Sequence, residues 1–286
     1  MKTVFLSTVV MAVVILASCA KEAGAPSSPS PDTSNQSKSI SVYDQVAISH
    51  NLAMDFVGNH PRFNDLTKKQ RYEYIQGYSD EHYRFTNDTD WVAHNDRMRW
   101  GIEIANSPDS ASIILIREGL IDASVAGLVD SLFVIFHDAG DWDNETYMSV
   151  GDFKSRIAAL ESHINTNYTP VFDAVGDTAN APGMMLAACA VAKGSYEYWR
   201  DAATDSSHLW NTNFSTFNYT DGNIPKGLFG NIWHGIKVGA VDTGVFVGSF
   251  FGGCNNGTTN VPGGNLTTTG RIGCMWQRAG EASSGV

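Results

Sequence analysis

The chain has 286 residues, of which 43% are hydrophobic and 11% aromatic, and its 30 acidic against 19 basic residues give a formal net charge of −11. This acidic balance argues against nucleic-acid binding and against electrostatic attraction to anionic lipid headgroups, because those partners carry the same sign of charge. The aromatic content indicates a packed domain rather than a disordered chain.

The first 18 residues, 1–18, are predicted to be a lipoprotein signal peptide. Lys2 precedes an apolar run from Val4 to Ala17, and its length of about 14 residues falls short of the ~20 that span a bilayer. The segment "LASC" that ends at Cys19 resembles the lipobox of bacterial lipoproteins, which implies that Cys19 is acylated and becomes the first mature residue. The alternative is an ordinary secretory signal that is cleaved nearby.

Residues 19–39 are predicted to form a flexible tether. From Lys21 to Ser39 the chain contains no aromatic or large aliphatic residue and is rich in Ser and Pro. Such a segment cannot bury enough apolar surface to offset its ordering entropy. Ala20 is not the aspartate that commonly marks inner-membrane retention, which favours the outer membrane. The periplasmic and the outward-facing orientation both stay open.

The body, 40–253, is predicted to be all-α, a single helical-bundle-like domain followed by a short irregular or hairpin tail at 254–286. Apolar residues recur at helical spacing, whereas period-two alternation is scarce before Gly253. Ser149 with Asp152 suits a capping box, and Pro182 suits a first helical turn. The predicted helices are 40–60, a more polar one from Thr67, 110–136 as two helices or one bent one, 149–168, 181–200 and a glycine-spaced helix at 235–252.

The helix predicted at 149–168 carries the most regular apolar stripe. Its core-facing residues step by four, three, four and four positions, which keeps them on one face. They are Phe153, Ile157, Leu160, Ile164 and Tyr168.

The last predicted helix carries glycines at steps of four, five, four and four, namely Gly235, Gly239, Gly244, Gly248 and Gly252. This spacing provides close backbone packing in membranes and in soluble bundles alike. Each glycine weakens an isolated helix by about 1 kcal/mol relative to Ala, so the helix needs a partner. Internal packing is favoured over membrane insertion and over self-assembly, because Lys237 and Asp242 interrupt the apolar run. The alanines between Ala187 and Ala192 are the best supply of small partner residues.

The layout resembles a group of uncharacterised lipoproteins of the Bacteroidota type. The resemblance rests on the lipobox, on "HNLAMDFVGNHPRFNDL", on "MMLAACAVAKGSYEYW" and on the glycine-spaced helix after "NIPKGLFG". The resemblance implies an architecture and a cellular location but no activity. In related glycoproteins of such bacteria, Asp-Ser/Thr before an apolar residue or Ala accepts O-linked glycans. Ser110 and Thr178 match that pattern.

An acidic segment, "DWDNETYMSVGD", places Asp141, Asp143, Glu145 and Asp152 in the order of calcium ligands in an EF-hand-like loop. Thr146 stands where the sharp turn needs Gly, and Asp152 replaces the longer bidentate Glu. The capping box also competes for Asp152. An ordinary acidic loop is therefore favoured over a metal site, and calcium is the one cofactor that the sequence suggests.

The cysteines are assigned by their surroundings. Cys189 lies in an apolar helical context and is predicted to be a buried free thiol. Cys254 and Cys274 flank a loop rich in Gly, Thr and Asn, and an exported compartment permits disulfides, so these two are predicted to be joined.

No catalytic motif stands out: nucleophile elbow, P-loop, HExxH and dinucleotide fingerprint are all absent from the sequence. The sequence therefore favours a non-enzymatic, lipid-anchored binding or structural protein of the cell envelope, whose partner is a protein or a glycan. The alternatives are a membrane-perturbing effector that uses the glycine helix, and a calcium-stabilised or weakly enzymatic envelope protein.

Overall fold

The structure is a computed structural model that describes residues 41–62, 65–67, 69–71, 73–75, 77, 99–104, 106–121, 123–141, 143–173, 178–211, 227–249 and 278–279. All of these belong to the unit Ile40–Val286. The described part of this unit is all-α, which confirms the predicted fold class.

Six α-helices account for most of the described body. They are α1 Val42–Gly58, α2 Ala111–Arg117, α3 Ala123–His137, α4 Val150–Asn167, α5 Ala181–Thr204 and α6 Leu228–Ser249, with a 3-10 turn at Pro108–Ser110 before α2. Residues 69–71, 73–75, 77, 99–104 and 106 are also helical.

Two small antiparallel hairpins lie between the helices. In the first, β1 (Gly140–Asp141) pairs with β2 (Thr146–Tyr147), so that Asp141 faces Thr146. In the second, β3 (Phe172–Asp173) pairs with β4 (Thr178–Ala179). Strand pairing in the described ranges is therefore confined to connections between helices.

Short polar side chains cap the first turns of α1 and α4, and the cap at Ser149 is the one that the sequence predicts. Ser41 accepts a hydrogen bond from the Asp44 amide at 3.0 Å, and Ser149 accepts one from the Asp152 amide at 3.0 Å. The stripe on α4 is buried from Phe153 to Ile164. Tyr168 is an exception, because it follows the last helical residue in an extended conformation and is 42% exposed. Its assignment to the core stripe is wrong.

The apolar segment 110–136 forms two helices rather than one bent helix. The break follows Arg117, where Gly119 adopts a left-handed φ of 69°. The Leu120 amide then donates to the Leu115 carbonyl at 2.8 Å, which closes the turn. The break lets α3 turn back so that α2 and α3 pack on each other.

The innermost helix is α6, and its principal neighbour is α5. Between Val238 and Ser249 every side chain of α6 is buried, and most of α5 from Gly183 to Ala192 is buried as well. A helix that is apolar on all sides belongs in a core, so α6 forms the centre of the bundle. No helix in the described ranges is long and apolar enough to cross a membrane.

A close backbone approach fixes the start of α5. Asn180 accepts hydrogen bonds from the amides of Gly183 and Val171, both at 2.9 Å, and donates to the Thr169 carbonyl at 2.8 Å. A Cβ at Gly183 would overlap the Val171 carbonyl, so only glycine fits there. Asn180 thereby ties the second hairpin to α5.

Candidate functional site

The glycines predicted on the last helix contact several different parts of the protein. A Cβ at Gly235 would lie 2.8 Å from the Trp199 carbonyl, and one at Gly239 would lie 3.6 Å from the Tyr196 amide. Gly235 thus lies against Trp199, and Gly239 lies against Tyr196. Residue numbers increase along α6 as they decrease along α5, so the two helices are antiparallel. Both glycines bring α6 close to the backbone of α5.

The next two glycines face other side chains. Gly244 faces Ile104 and Phe133, and a Cβ at Gly248 would overlap the Trp100 ring. The expectation that alanines 187–192 are the partners of these glycines is therefore wrong, because the close contacts come from the far end of α5 and from aromatic and aliphatic side chains. Gly252 lies outside the described residues.

A buried polar cluster connects α1, α5 and α6. The Oδ2 atom of Asp242 accepts from Trp199 Nε1 at 2.8 Å, lies 3.2 Å from His50 Nε2 and accepts from the Ser195 hydroxyl. All four side chains are buried. His50 Nδ1 is 3.0 Å from Asn51 Oδ1, and the Asn51 amide reaches the Gly194 carbonyl at 3.4 Å.

The electrostatics of this cluster favour a charged histidine. Burial lowers the pKa of His50, but the charge and hydrogen bond of Asp242 outweigh burial and raise this pKa above its ordinary value. The Oδ2 atom of Asp242 on α6 thus contacts polar groups of both α1 and α5.

The residue types of the cluster resemble a catalytic triad, but the geometry differs. Ser195 donates to the carboxylate of Asp242, whereas a nucleophilic serine donates to the histidine. The exposed fractions of His50, Ser195 and Asp242 are 1%, 0% and 0%. A substrate cannot reach the hydroxyl in this arrangement, so the cluster organises the core.

An accessible concave surface lies around Trp233 of α6 and His137 at the end of α3. A narrow cavity of about 190 Å³ has a floor of Phe136, Ile236 and Ala240 and a polar rim at Asn106 and Lys237. A wider cleft of about 550 Å³ is lined by Asp138, Asp141, Asp143 and Arg156. Trp233 and His137 line both. We call the two together the Trp233 groove.

The indole of Trp233 is held by its neighbours. A Cβ at Gly140 would overlap the six-membered ring of Trp233, so β1 passes directly against the indole. The Lys237 ammonium is 6.0 Å from the ring centroid and donates to Asn106 Oδ1 at 3.1 Å. The indole therefore forms a wall that the narrow and the wide part of the groove share.

The hairpin on the other side of the groove is anchored to α5. Tyr196 donates to the Met148 carbonyl at 2.8 Å, and its ring stacks on Phe153 with centroids 3.8 Å apart. Burial raises the pKa of Tyr196 to about 12, so the hydroxyl keeps its proton at neutral pH. Arg200 covers the Tyr147 ring at 4.1 Å. These contacts hold β1 and β2 beside Trp233.

Three of the four predicted calcium ligands lie on the exposed first hairpin. Asp141 accepts from the amide and the side chain of Asn144 at 3.1 and 2.7 Å, and these bonds lower the pKa of Asp141. Asp143 follows in the turn, and Glu145 has a left-handed φ of 50°. Asp152 accepts from the Ser149 hydroxyl at 2.7 Å on α4. Within the described ranges, no group of three or more His, Cys, Asp or Glu side chains is arranged to hold a metal ion.

The remaining predicted residues are dispersed. Ser110 ends the 3-10 turn, and the backbone of Thr178 pairs with Asp173 in the second hairpin. Cys189 is a buried free thiol, as predicted, and burial raises its pKa far above the ordinary value. Cys19, Cys254 and Cys274 lie outside the described residues.

Sequence reasoning did not predict the Trp233 groove or the Asp242 cluster. The sequence did contain a signal for the Asp242 cluster, because a single carboxylate in an apolar helix needs hydrogen-bond donors when it is buried. His50, on the apolar face of α1, is such a donor. The sequence carried no signal for the Trp233 groove, because Gly140 of the first hairpin and the lining residues from α3 lie far from Trp233 along the chain.

Comparison of the chain with protein-family models, with curated proteins and with solved structures found no match.

Proposed function

We propose that the chain is a lipid-anchored, non-enzymatic binding protein of the bacterial cell envelope, and that its ligand occupies the Trp233 groove. The observation that carries this proposal is the groove itself, a concave surface with an aromatic wall, an apolar floor and several polar groups at its rim. Ligand sites commonly combine these features.

The cellular location in this proposal rests on the N-terminal sequence. The lipobox ending at Cys19 and the tether at 19–39 are the features expected of a domain held away from a lipid surface. The proposed place is the outer membrane. A Cys19→Ala variant is expected to leave the membrane fraction, and sedimentation with membranes after a high-salt wash would contradict acyl anchoring.

The membrane-perturbing alternative has less support. Insertion of α6 into lipid would require separation of Asp242 from its partners on α1 and α5 and exposure of the core that α6 fills. Dye release from liposomes on addition of the Cys19→Ala full chain would favour this alternative over the binding function.

Site-specific photo-crosslinking in intact cells tests the groove. A photoreactive amino acid replaces Asp143 at the groove rim, and a control places it at Asp65, an exposed residue that pairs with Arg62. We expect an adduct from position 143 that is lost when Trp233→Ala is added. Equal adducts from 143 and 65, or adducts that do not depend on Trp233, would contradict the proposal.

A further inference from the structure

The two parts of the Trp233 groove form one elongated site. The narrow cavity of about 190 Å³ and the wider cleft of about 550 Å³ share Trp233 and His137 as lining residues. A ligand that contacts both parts must pass the indole. The shape therefore suits a chain of at least two small units, one on each side of Trp233.

The charges in the wide part disfavour an anionic ligand. Asp138 is already paired with Arg156, at 2.7 Å between Oδ2 and Nη1, so this pair adds little net charge. Asp141 and Asp143 remain on the same side. Two carboxylates repel a phosphate or a carboxylate, but they accept hydrogen bonds from hydroxyl groups.

The narrow part offers complementary chemistry. Lys237 donates, whereas Asn106 both donates and accepts, and the two stand at the rim of an apolar floor. A hydroxyl-rich ring with one apolar face satisfies both the rim and the floor. A purely apolar ligand would make no hydrogen bond with either rim group.

From these features we infer that the ligand is a neutral oligosaccharide, bound across Trp233 with one sugar unit in each part of the groove. The inference rests on the proposed binding function and adds the chemical class of the ligand. The indole supplies an apolar wall for the face of a sugar ring, and Asp141, Asp143, Asn106 and Lys237 hydrogen-bond its hydroxyl groups.

An array of neutral and anionic oligosaccharides, probed with the full chain carrying Cys19→Ala, tests the class of ligand. We expect neutral di- and trisaccharides to bind and their phosphorylated or sulfated forms to bind less well. The best neutral binder is then titrated by calorimetry. Trp233→Ala should weaken the affinity by about tenfold or more, the factor that corresponds to about 1.4 kcal/mol.

Two further variants keep the test decisive if Trp233→Ala impairs folding. Asp143→Asn and Lys237→Met change exposed or half-exposed rim groups, and each should weaken binding several-fold while the melting temperature stays within the range of the control Asp65→Asn. Unchanged affinity in both variants would overturn the inference. Preference for anionic glycans would also overturn it.

The outcomes separate this inference from the proposed function. If no neutral saccharide binds while the photo-adduct at position 143 still depends on Trp233, the ligand class is wrong and the groove function stands. If neither saccharide binding nor a Trp233-dependent adduct is found, both are wrong.

Discussion

His50 Nε2 on α1 lies 3.2 Å from Asp242 Oδ2 on α6, and both side chains are fully buried. Ser195 and Trp199 of α5 donate to the same oxygen. A single carboxylate therefore fixes the relative positions of three helices.

The first prediction concerns removal of that carboxylate. Asp242→Ala leaves His50 and two donors without their acceptor, and loss of one partner from a buried pair costs about 3–5 kcal/mol of unfolding free energy. Urea unfolding followed by circular dichroism measures the loss. Asp65→Ala, which breaks an exposed pair, should cost about 1 kcal/mol or less. Equal losses in the two variants would show that the cluster does not stabilise the fold.

A second prediction follows from the raised pKa of His50. Because the folded state holds this proton more tightly than the unfolded state, the pair contributes its full stability below the ordinary histidine pKa of about 6.5. The contribution is lost as the pH rises through the raised folded value. The unfolding free energy of His50→Gln should therefore approach that of the wild type at alkaline pH. A constant difference at all pH values would contradict the charged state of His50.

His234 should behave in the opposite way. Burial, with a smaller effect from Lys237, lowers its pKa to about 4, so the folded state keeps it neutral. The unfolded state takes up a proton first on acidification, and stability falls between about pH 6.5 and pH 4, by roughly 3 kcal/mol at 1.36 kcal/mol per pKa unit.

The test compares the wild type with His234→Gln over that range. The variant should lose less stability on acidification, although its stability at neutral pH is lower. Proton NMR of the His234 ring provides an independent check, and a midpoint near 6.5 in the folded chain would refute the prediction.

The fourth prediction contrasts two helical glycines. Gly235→Ala places a methyl group 2.8 Å from the Trp199 carbonyl, so α5 and α6 must separate, at a cost of about 1–3 kcal/mol. Gly127→Ala is the control, because nothing lies within 4 Å of its Cβ position on the exposed face of α3. It should stabilise by about 0.5–1 kcal/mol. Melting temperatures that shift in the same direction would show that the packing is not as described.

The helices could be predicted from the sequence because their signals are local. Ser149 begins α4, Asn180 precedes Pro182 at the start of α5, and the apolar spacing identifies the buried face of α1. The partners of the α6 glycines could not be predicted in the same way. Which atoms Gly244 and Gly248 meet depends on Trp100, Ile104 and Phe133, whose positions follow from tertiary packing.

The Trp233 groove could not be predicted from the sequence either. Its wall comes from α6, its floor partly from α3, and its acidic side from the first hairpin. No single segment carries the pattern, so only the packed chain brings Trp233, Asn106 and Asp141 to one surface.

The central position of α6 has a consequence for the order of folding. The helix that fills the middle of the bundle is the last of the six to be synthesised, and its contacts with α1 and α5 bridge long stretches of chain. Contacts distant in sequence close slowly, because the intervening chain must first lose conformational freedom. Until residue 249 has emerged, the face of α5 that packs against α6 has no cover. We therefore expect the nascent chain to be prone to aggregation until α6 has emerged.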